Sequence, residues 1–272
     1  VKEMKQERNI FDLSGKVALV TGGGNGLGRF FCEALAEFGA DVSVVDIDER
    51  GAKEAAGSVK GLGRRSMAVR VDINSPDDVE RMATQTVAEL GRIDILVNNA
   101  GVTAKPARVA EIAVEDWDRV MGINLRGAFL CTKAVLPVMV RQGSGSIINI
   151  ASTKGIRSLI EVDRVMPIPS YSVSKAGLIM LTKETAVEYA MDGIRANCIA
   201  AGRHAGTGLS SQHKKDWDED RRRRYEEAVS HVTAMGRSGQ VSEFKGVLVF
   251  LASDASSYMT GQVLASDGGT NV

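Results

Sequence analysis

Short apolar runs rich in valine and isoleucine recur along the chain, separated by longer stretches with a helical period. The runs are VALVT (17–21), VSVVD (42–46), AVRVD (68–72), IDILVN (93–98), SIINIA (146–151), IRANCIA (194–200) and QVLASD (262–267). They lack the polar alternation of a half-exposed strand, so they read as strands of a parallel sheet covered on both faces. Between the first two, Leu27, Phe30, Phe31, Ala34, Leu35 and Phe38 follow the i, i+3, i+4 rule of an amphipathic helix. Gly39 follows, where a left-handed cap would end that helix. The β-α-β-α order predicts an α/β fold with a doubly wound parallel sheet and right-handed crossovers. One stretch breaks the pattern: 210–228, SSQHKKDWDEDRRRRYEEA, is densely charged without a strong apolar stripe. It predicts a solvated helix or a mobile flap, with ion pairs along the helix surface around Arg221–Arg224.

No repeat or linker interrupts this alternation, so residues 15–272 read as one domain, with a substrate-side flap at about 205–235. Residues 1–14 form a polar lead-in whose Ile10, Phe11 and Leu13 are expected to dock on it. Basic and acidic residues number 34 each, which leaves no basic excess for nucleic acid. No apolar run approaches the roughly 18 residues of a membrane span, and the N-terminal residues lack the apolar core of a signal peptide. Neither nucleic acid nor membrane is therefore expected as a partner. Cys32, Cys131 and Cys198 sit in apolar runs without a CxxC pair. They read as buried, reduced thiols in a cytoplasmic protein. No His/Cys/Asp cluster has metal-ligand spacing, so no metal is expected.

The first strand runs into TGGGNGLG (21–28). Gly22, Gly26 and Gly28 let the backbone turn tightly and approach a pyrophosphate, and the helix opening near Gly26 offers free N–H groups to its charge. Asn25 and Leu27 lie in the same turn. The second strand ends in Asp46, 18 positions after Gly28, where a carboxylate accepts both ribose hydroxyls of an adenosine and repels a 2′-phosphate. Ile47 and Asp48 follow rather than a basic residue, and the loop carries Asn25. These features favour NAD over NADP.

With the glycine turn, NNAG (98–101), Asn124 in GINLRG, Ser152 after GSIINIA, YSVSK (171–175) and FLASDASSYMTGQVLASDGG (250–269), residues 15–272 resemble the short-chain dehydrogenase/reductase family over their whole length. The resemblance implies a Rossmann-like sheet of seven parallel strands in three layers. It also implies NAD(P)-dependent oxidoreduction of a small alcohol or ketone, commonly by a homotetramer, with a homodimer as the smaller assembly. Carried over by position, Asp72 and Ile73 would contact the adenine, and Asn99, Ala100 and Gly101 the adenosine ribose. Ala201, Gly202, His204 and Thr207 would sit by the nicotinamide carboxamide. Here the sequence departs from the family: Ala201-Gly202 stands where Pro-Gly is usual, and Thr207 lies one residue further on.

Tyr171 and Lys175 are i and i+4, one face of a helix. A phenol with pKa near 10 is a poor base, and a nearby ammonium favours its ionised form. Tyr171 would take the alcohol proton as hydride leaves, and Lys175 would also bind the nicotinamide ribose. Ser152, after the fifth strand, would donate to the substrate oxygen. By resemblance, Asn124 holds a water that links Lys175 to solvent. Ser158 rivals Ser152, because it lies 13 residues before Tyr171 where Ser152 lies 19. Ser152 is preferred on strand geometry, with the extra residues read as an insertion in SLIEVDRVMPIP. Lys154, Arg157, Arg203 and His204 read either as solvated loop charge, the preferred view, or as a group that favours an anionic substrate. Two other functions remain open: a catalytically silent NAD-binding sensor or scaffold, and an epimerase or dehydratase that retains its NAD.

Overall fold

Every apolar run forms a strand, because each supplies both faces of the sheet at once. In the computed structural model, which describes residues 9–158, 167–207 and 218–272, alternate residues of β1 (Val17–Thr21) point to opposite sides. Ala18 and Val20 join a core with Phe31, Leu35, Ala52, Phe244 and Leu248, whereas Leu19 joins a second with Val79, Met82, Val135 and Met139. A polar residue on either side is buried and must find a partner, as Ser43 of the second strand does in Thr86, which accounts for the mainly apolar runs.

The sheet has seven parallel strands in the order β3-β2-β1-β4-β5-β6-β9. They are β1, β2 (Asp41–Asp46), β3 (Ser66–Arg70), β4 (Ile95–Asn98), β5 (Gly145–Ser152), β6 (Ile194–Ala201) and β9 (Val263–Ser266). A short parallel pair, β7 (His204–Ala205) with β8 (Gly239–Gln240), lies apart from it. Helices α1 (Gly26–Glu37), α2 (Glu49–Gly61) and α8 (Phe244–Ala252) cover one face. Helices α3 (Pro76–Leu90), α5 (Ala128–Gln142) and α6 (Pro169–Tyr189) cover the other. Helix α4 (Val114–Met121) leads into α5 through a wide turn at Gly122–Gly127, and α7 (Glu219–Val232) precedes α8. The fold is thus the Rossmann-like, three-layer α/β/α arrangement expected.

Three local differences have physical causes. The third strand begins and ends two residues earlier than its apolar run, because pairing of Val42 with Ser66 through Asp46 with Arg70 sets its register. Of the three lead-in residues expected to dock, only Leu13 is buried; its N–H donates to Phe38 O, while Ile10 and Phe11 stay exposed. The continuous helical path Val114–Gln142 is long and apolar enough to cross a membrane by length and composition, which the run-by-run reading missed. Its Cys131, Val135, Leu136 and Met139 pack with Leu96 and Ile147 of the sheet, as in a core helix.

Candidate active site

The site lies beyond the carboxyl ends of β1, β4, β5 and β6, where the strands deliver their motifs side by side. Gly22 and Gly26 both adopt positive φ, at 62° and 52°. A side chain at Gly28 would overlap the Gly22 carbonyl, so the third glycine lets α1 pack onto its own turn. Asn25 precedes α1 but does not cap it; its amide donates to Asp48 Oδ2 at 3.2 Å. No acidic residue stands in the first helical turn. The main-chain N–H groups of this turn, including that of Leu27, thus have neither a side-chain cap nor an acidic neighbour in the turn, which fits the diphosphate of a dinucleotide.

Asp46 ends β2 beside that turn. Its Oδ2 accepts from Gly24 N and its Oδ1 from Asp48 N, both at 2.9 Å. Each oxygen keeps a second lone pair, the need of a ribose diol. Ile47 beside it is exposed. Thr21, which the sequence reading overlooked, ties β1 to the turn after β4: its hydroxyl accepts from Asn99 N and Ala100 N, both at 3.1 Å. Asn99 donates in turn to Thr21 O and Gly22 O. Gly101 comes close to Asn124 and Lys175. Asp72 is exposed, with Oδ1 accepting from Asn74 N. Ile73 turns inward against Gly127, so its main chain, not its side chain, faces outward.

Ser152, Tyr171 and Lys175 come together. Ser152 is buried at the end of β5, close enough to the Tyr171 phenol to favour its ionised form; Ser158 is exposed. Pro169 opens α6, which sets Tyr171 in its first turn and Lys175 in its second. The Lys175 ammonium lies 5.7 Å from the Tyr171 ring centre and donates to Ile150 O at 2.8 Å. Burial pulls the Lys175 pKa down to about 8. Burial raises the Tyr171 pKa, opposed by the Ser152 hydrogen bond. The protein alone thus does not lower the phenol in this arrangement.

Asn124 is buried in the wide turn before α5. Its Oδ1 accepts from Val102 N, and its Nδ2 donates to Val102 O and to Ser174 Oγ. The side chain is committed to the fold, so a water relay would run from the main chain of this turn. Ser174, inside the YSVSK motif yet overlooked, joins that turn to α6. Gly155 was overlooked as well: a Cβ there would lie 2.6 Å from the Lys175 carbonyl carbon. The turn after Ser152 therefore presses on the backbone that carries Lys175. The glycine of a three-residue turn carries little signal in a sequence.

The nicotinamide loop shows what its unusual residues do. Gly202 abuts Asp267 without room for a side chain. The His204 imidazole stacks on Phe244 with ring centres 3.9 Å apart, and Nδ1 lies 3.3 Å from Gly202 O. That ring faces the protein interior, and burial lowers its pKa. Its main chain is what remains for a carboxamide. Gly206 has φ of 81°, which accommodates the extra residue before Thr207. Lys154 and Arg203 are half-buried at the rim, and Arg157 donates to Thr270 O. All three cysteines are free and buried, and no metal-holding cluster occurs among the described residues.

A family model described as enoyl-(acyl carrier protein) reductase matches residues 22–271. The chain is 38% identical over 262 residues to 2-dehydro-3-deoxy-D-gluconate 5-dehydrogenase of Escherichia coli, covering 96% of this chain and 97% of that one. A short-chain type dehydrogenase/reductase from Mycobacterium marinum superposes with a TM-score of 0.88 at 35% identity, covering 96% of this chain and 98% of that one. A gluconate 5-dehydrogenase from Burkholderia cenocepacia, solved with NADP and tartrate, superposes with a TM-score of 0.87 at 34% identity, covering 96% and 97%.

Proposed function

The chain belongs to the short-chain dehydrogenase/reductase family of nicotinamide-dependent oxidoreductases, and on that premise we propose that it oxidises a secondary alcohol or polyol with NAD, using Tyr171 as acid/base. The observation that carries this reading is the convergence of three groups: Ser152 acts on the Tyr171 phenol, and the Lys175 ammonium lies 5.7 Å from the Tyr171 ring centre, one helical turn away. Two neighbouring hydroxyls suit a single substrate oxygen, which favours the alcohol/ketone couple over reduction of a carbon–carbon double bond.

The bound cofactor supplies the hydride acceptor. Ser152 holds the substrate hydroxyl, and Tyr171 takes its proton as the carbon–hydrogen bond breaks. Ionising the phenol near neutral pH needs a shift of about 3 units, or roughly 4 kcal/mol. Lys175 contributes by turning its ammonium from the Ile150 carbonyl toward the phenol oxygen and the ribose. Asp46 selects NAD, since its carboxylate would face a 2′-phosphate; the NADP bound by the Burkholderia enzyme makes this residue the point on which the choice turns.

A scaffold or sensor role would leave Tyr171 and Lys175 without a task, and a cofactor-retaining epimerase would not consume NAD. The test is NAD-linked oxidation of a panel of secondary alcohols, polyols and hydroxy acids, read as reduced-nicotinamide absorbance. Tyr171→Phe should remove at least 99% of turnover while NADH affinity changes less than about threefold. Ser152→Ala should be severe and Ser158→Ala mild. Retained turnover in Tyr171→Phe would sink the assignment.

A further inference from the structure

The imidazole of His204 is built into the fold at the start of the nicotinamide loop. Pairing of β7 with β8 sets His204 against Gly239, so the loop is tied to the chain that returns from α7. The ring is 8% exposed and stacks on Phe244 with centres 3.9 Å apart. A Cβ at Gly239 would overlap the ring, so the strand opposite closes on it as well. Phe244 in turn meets Phe31 of α1 edge-on, with ring centres 6.1 Å apart and planes at 89°. A column of rings thus joins the helix that opens at the glycine turn to the loop expected at the nicotinamide.

A carbonyl oxygen only accepts, so Nδ1 carries the proton that reaches Gly202 O at 3.3 Å. Nε2 is then the acceptor, 3.5 Å from the Ser266 hydroxyl. Gly202 N donates to Ser266 O, so the ring closes a circuit between the ends of β6 and β9. A second proton would turn Nε2 into a donor and put a charge into a slot walled by Phe244 and Gly239. Three charged groups face this slot from the packed turns. Glu243 holds Arg237 through both carboxylate oxygens, at 2.8 and 2.9 Å. Asp267 accepts from Gly269 N, Asn271 N and the Asn271 amide. On its own stretch of chain, Arg203 precedes the ring. Burial, with the Arg237 charge, outweighs the Gly202 bond and the Glu243 and Asp267 carboxylates, and the His204 pKa falls below its ordinary value. The ring therefore stays neutral to lower pH than a free histidine.

We infer that His204 is a positioning residue: its neutral imidazole locks the nicotinamide loop in the shape that holds the cofactor, and protonation unlocks it. The inference rests on the dehydrogenase reading of the same site and adds an acid-sensitive control at its nicotinamide end. The side chain turns inward and touches no reacting atom. It acts on NAD binding through the main chain of the loop, not on the proton transfer at Tyr171.

Calorimetric titrations with NAD and with ADP-ribose, which lacks the nicotinamide, isolate this end of the site. Both ligands would meet the glycine turn and Asp46, so the ratio of their affinities cancels titration elsewhere. Between pH 8 and pH 5, NAD should weaken at least about threefold more than ADP-ribose, since a proton taken up only by the unlocked form costs up to roughly tenfold per pH unit. His204→Phe keeps a stacking ring and cannot take a proton. It should weaken NAD by roughly two- to tenfold at pH 8, the worth of one hydrogen bond, and show no acid loss relative to ADP-ribose. In turnover the loss should lie mainly in KM for NAD. If the variant does not fold, the two wild-type profiles still decide the question. An equal pH dependence of the two ligands in wild type, or an acid loss that persists in His204→Phe, would overturn the role of His204 and leave the dehydrogenase reading standing. Binding of neither ligand would overturn that reading and this inference with it.

Discussion

At the scale of single residues, Asp46 and Lys175 carry opposite kinds of charge problem. Asp46 is held by two main-chain N–H groups at a partly exposed strand end, so its carboxylate is fixed where the proposed cofactor would place its ribose. A 2′-phosphate there costs at least the ~1.4 kcal/mol that tenfold represents. Wild type should favour NAD over NADP at least tenfold in kcat/KM, and Asp46→Ala should weaken NAD while narrowing the gap; equal use of NADP by wild type refutes this. Lys175 is instead a buried cation whose pKa falls from 10.5 to about 8. Between those values the unfolded chain binds more protons than the folded one, so stability rises with pH across that window. Below pH 8 the full penalty applies, about 3 kcal/mol. Lys175→Met should therefore be inactive yet melt higher than wild type at pH 7, with the advantage shrinking toward pH 10. Chemical denaturation at both pH values checks it, and a constant difference would show that burial of the charge costs nothing.

Among the elements, α7 differs from the rest. Its described side chains from Arg223 to Ala228 are exposed, and ion pairs Arg223–Asp220 and Arg223–Glu227 run along its surface, as the charge pattern predicts. Exposed pairs of this kind add little stability. Anchorage comes at its carboxyl end, where Val229 and Thr233 are buried and Met235 N donates to Gly268 O. We propose that 205–235 closes over the substrate with 156–170 as its opposite wall; 159–166 and 208–217 of these segments lie outside the described residues. A segment whose described side chains are mostly exposed opens at low cost. Amide exchange over 218–228 should be fast in the free protein and slow at least tenfold with NADH and substrate bound. Slow exchange unmoved by ligands would make the segment a fixed wall.

At the scale of the whole molecule, the described residues include an apolar stripe that α5 and α6 leave uncovered. Val173, Met180 and Val187 recur every seven residues along α6 and are 46%, 56% and 80% exposed. Phe129 and Val140 on α5 are exposed as well. A seven-residue apolar repeat on a straight helix suits packing against a second helix. We propose that a second copy of the chain covers it, in keeping with the homo-oligomer implied by the family resemblance. Met180→Glu with Val187→Glu should yield a monomer by light scattering, with the fold retained by circular dichroism. A wild type that is already monomeric at micromolar concentration would exclude this interface.

The sequence by itself determined the sheet, its layers, the glycine turn and the choice of Ser152, Tyr171 and Lys175 as candidates for the chemistry. Periodicity and spacing are local properties, and a strand buried on both faces leaves a short apolar run; flanking turn residues and β-branched content separate it from a buried helix such as Phe244–Ala252, whose VLVFLA is equally apolar. Only the tertiary structure decided matters that depend on residues far apart in the chain. It showed Ser152 rather than Ser158 against Tyr171, because β5 ends at Ser152 and α6 returns to it. It committed the Asn124 amide to Val102 and Ser174, and turned His204 onto Phe244. It also set Lys154 beside Arg203, 49 positions apart in the chain, because parallel pairing of β5 with β6 carries both to one edge. Side-chain direction and charge proximity follow from packing between elements, which a linear pattern does not contain.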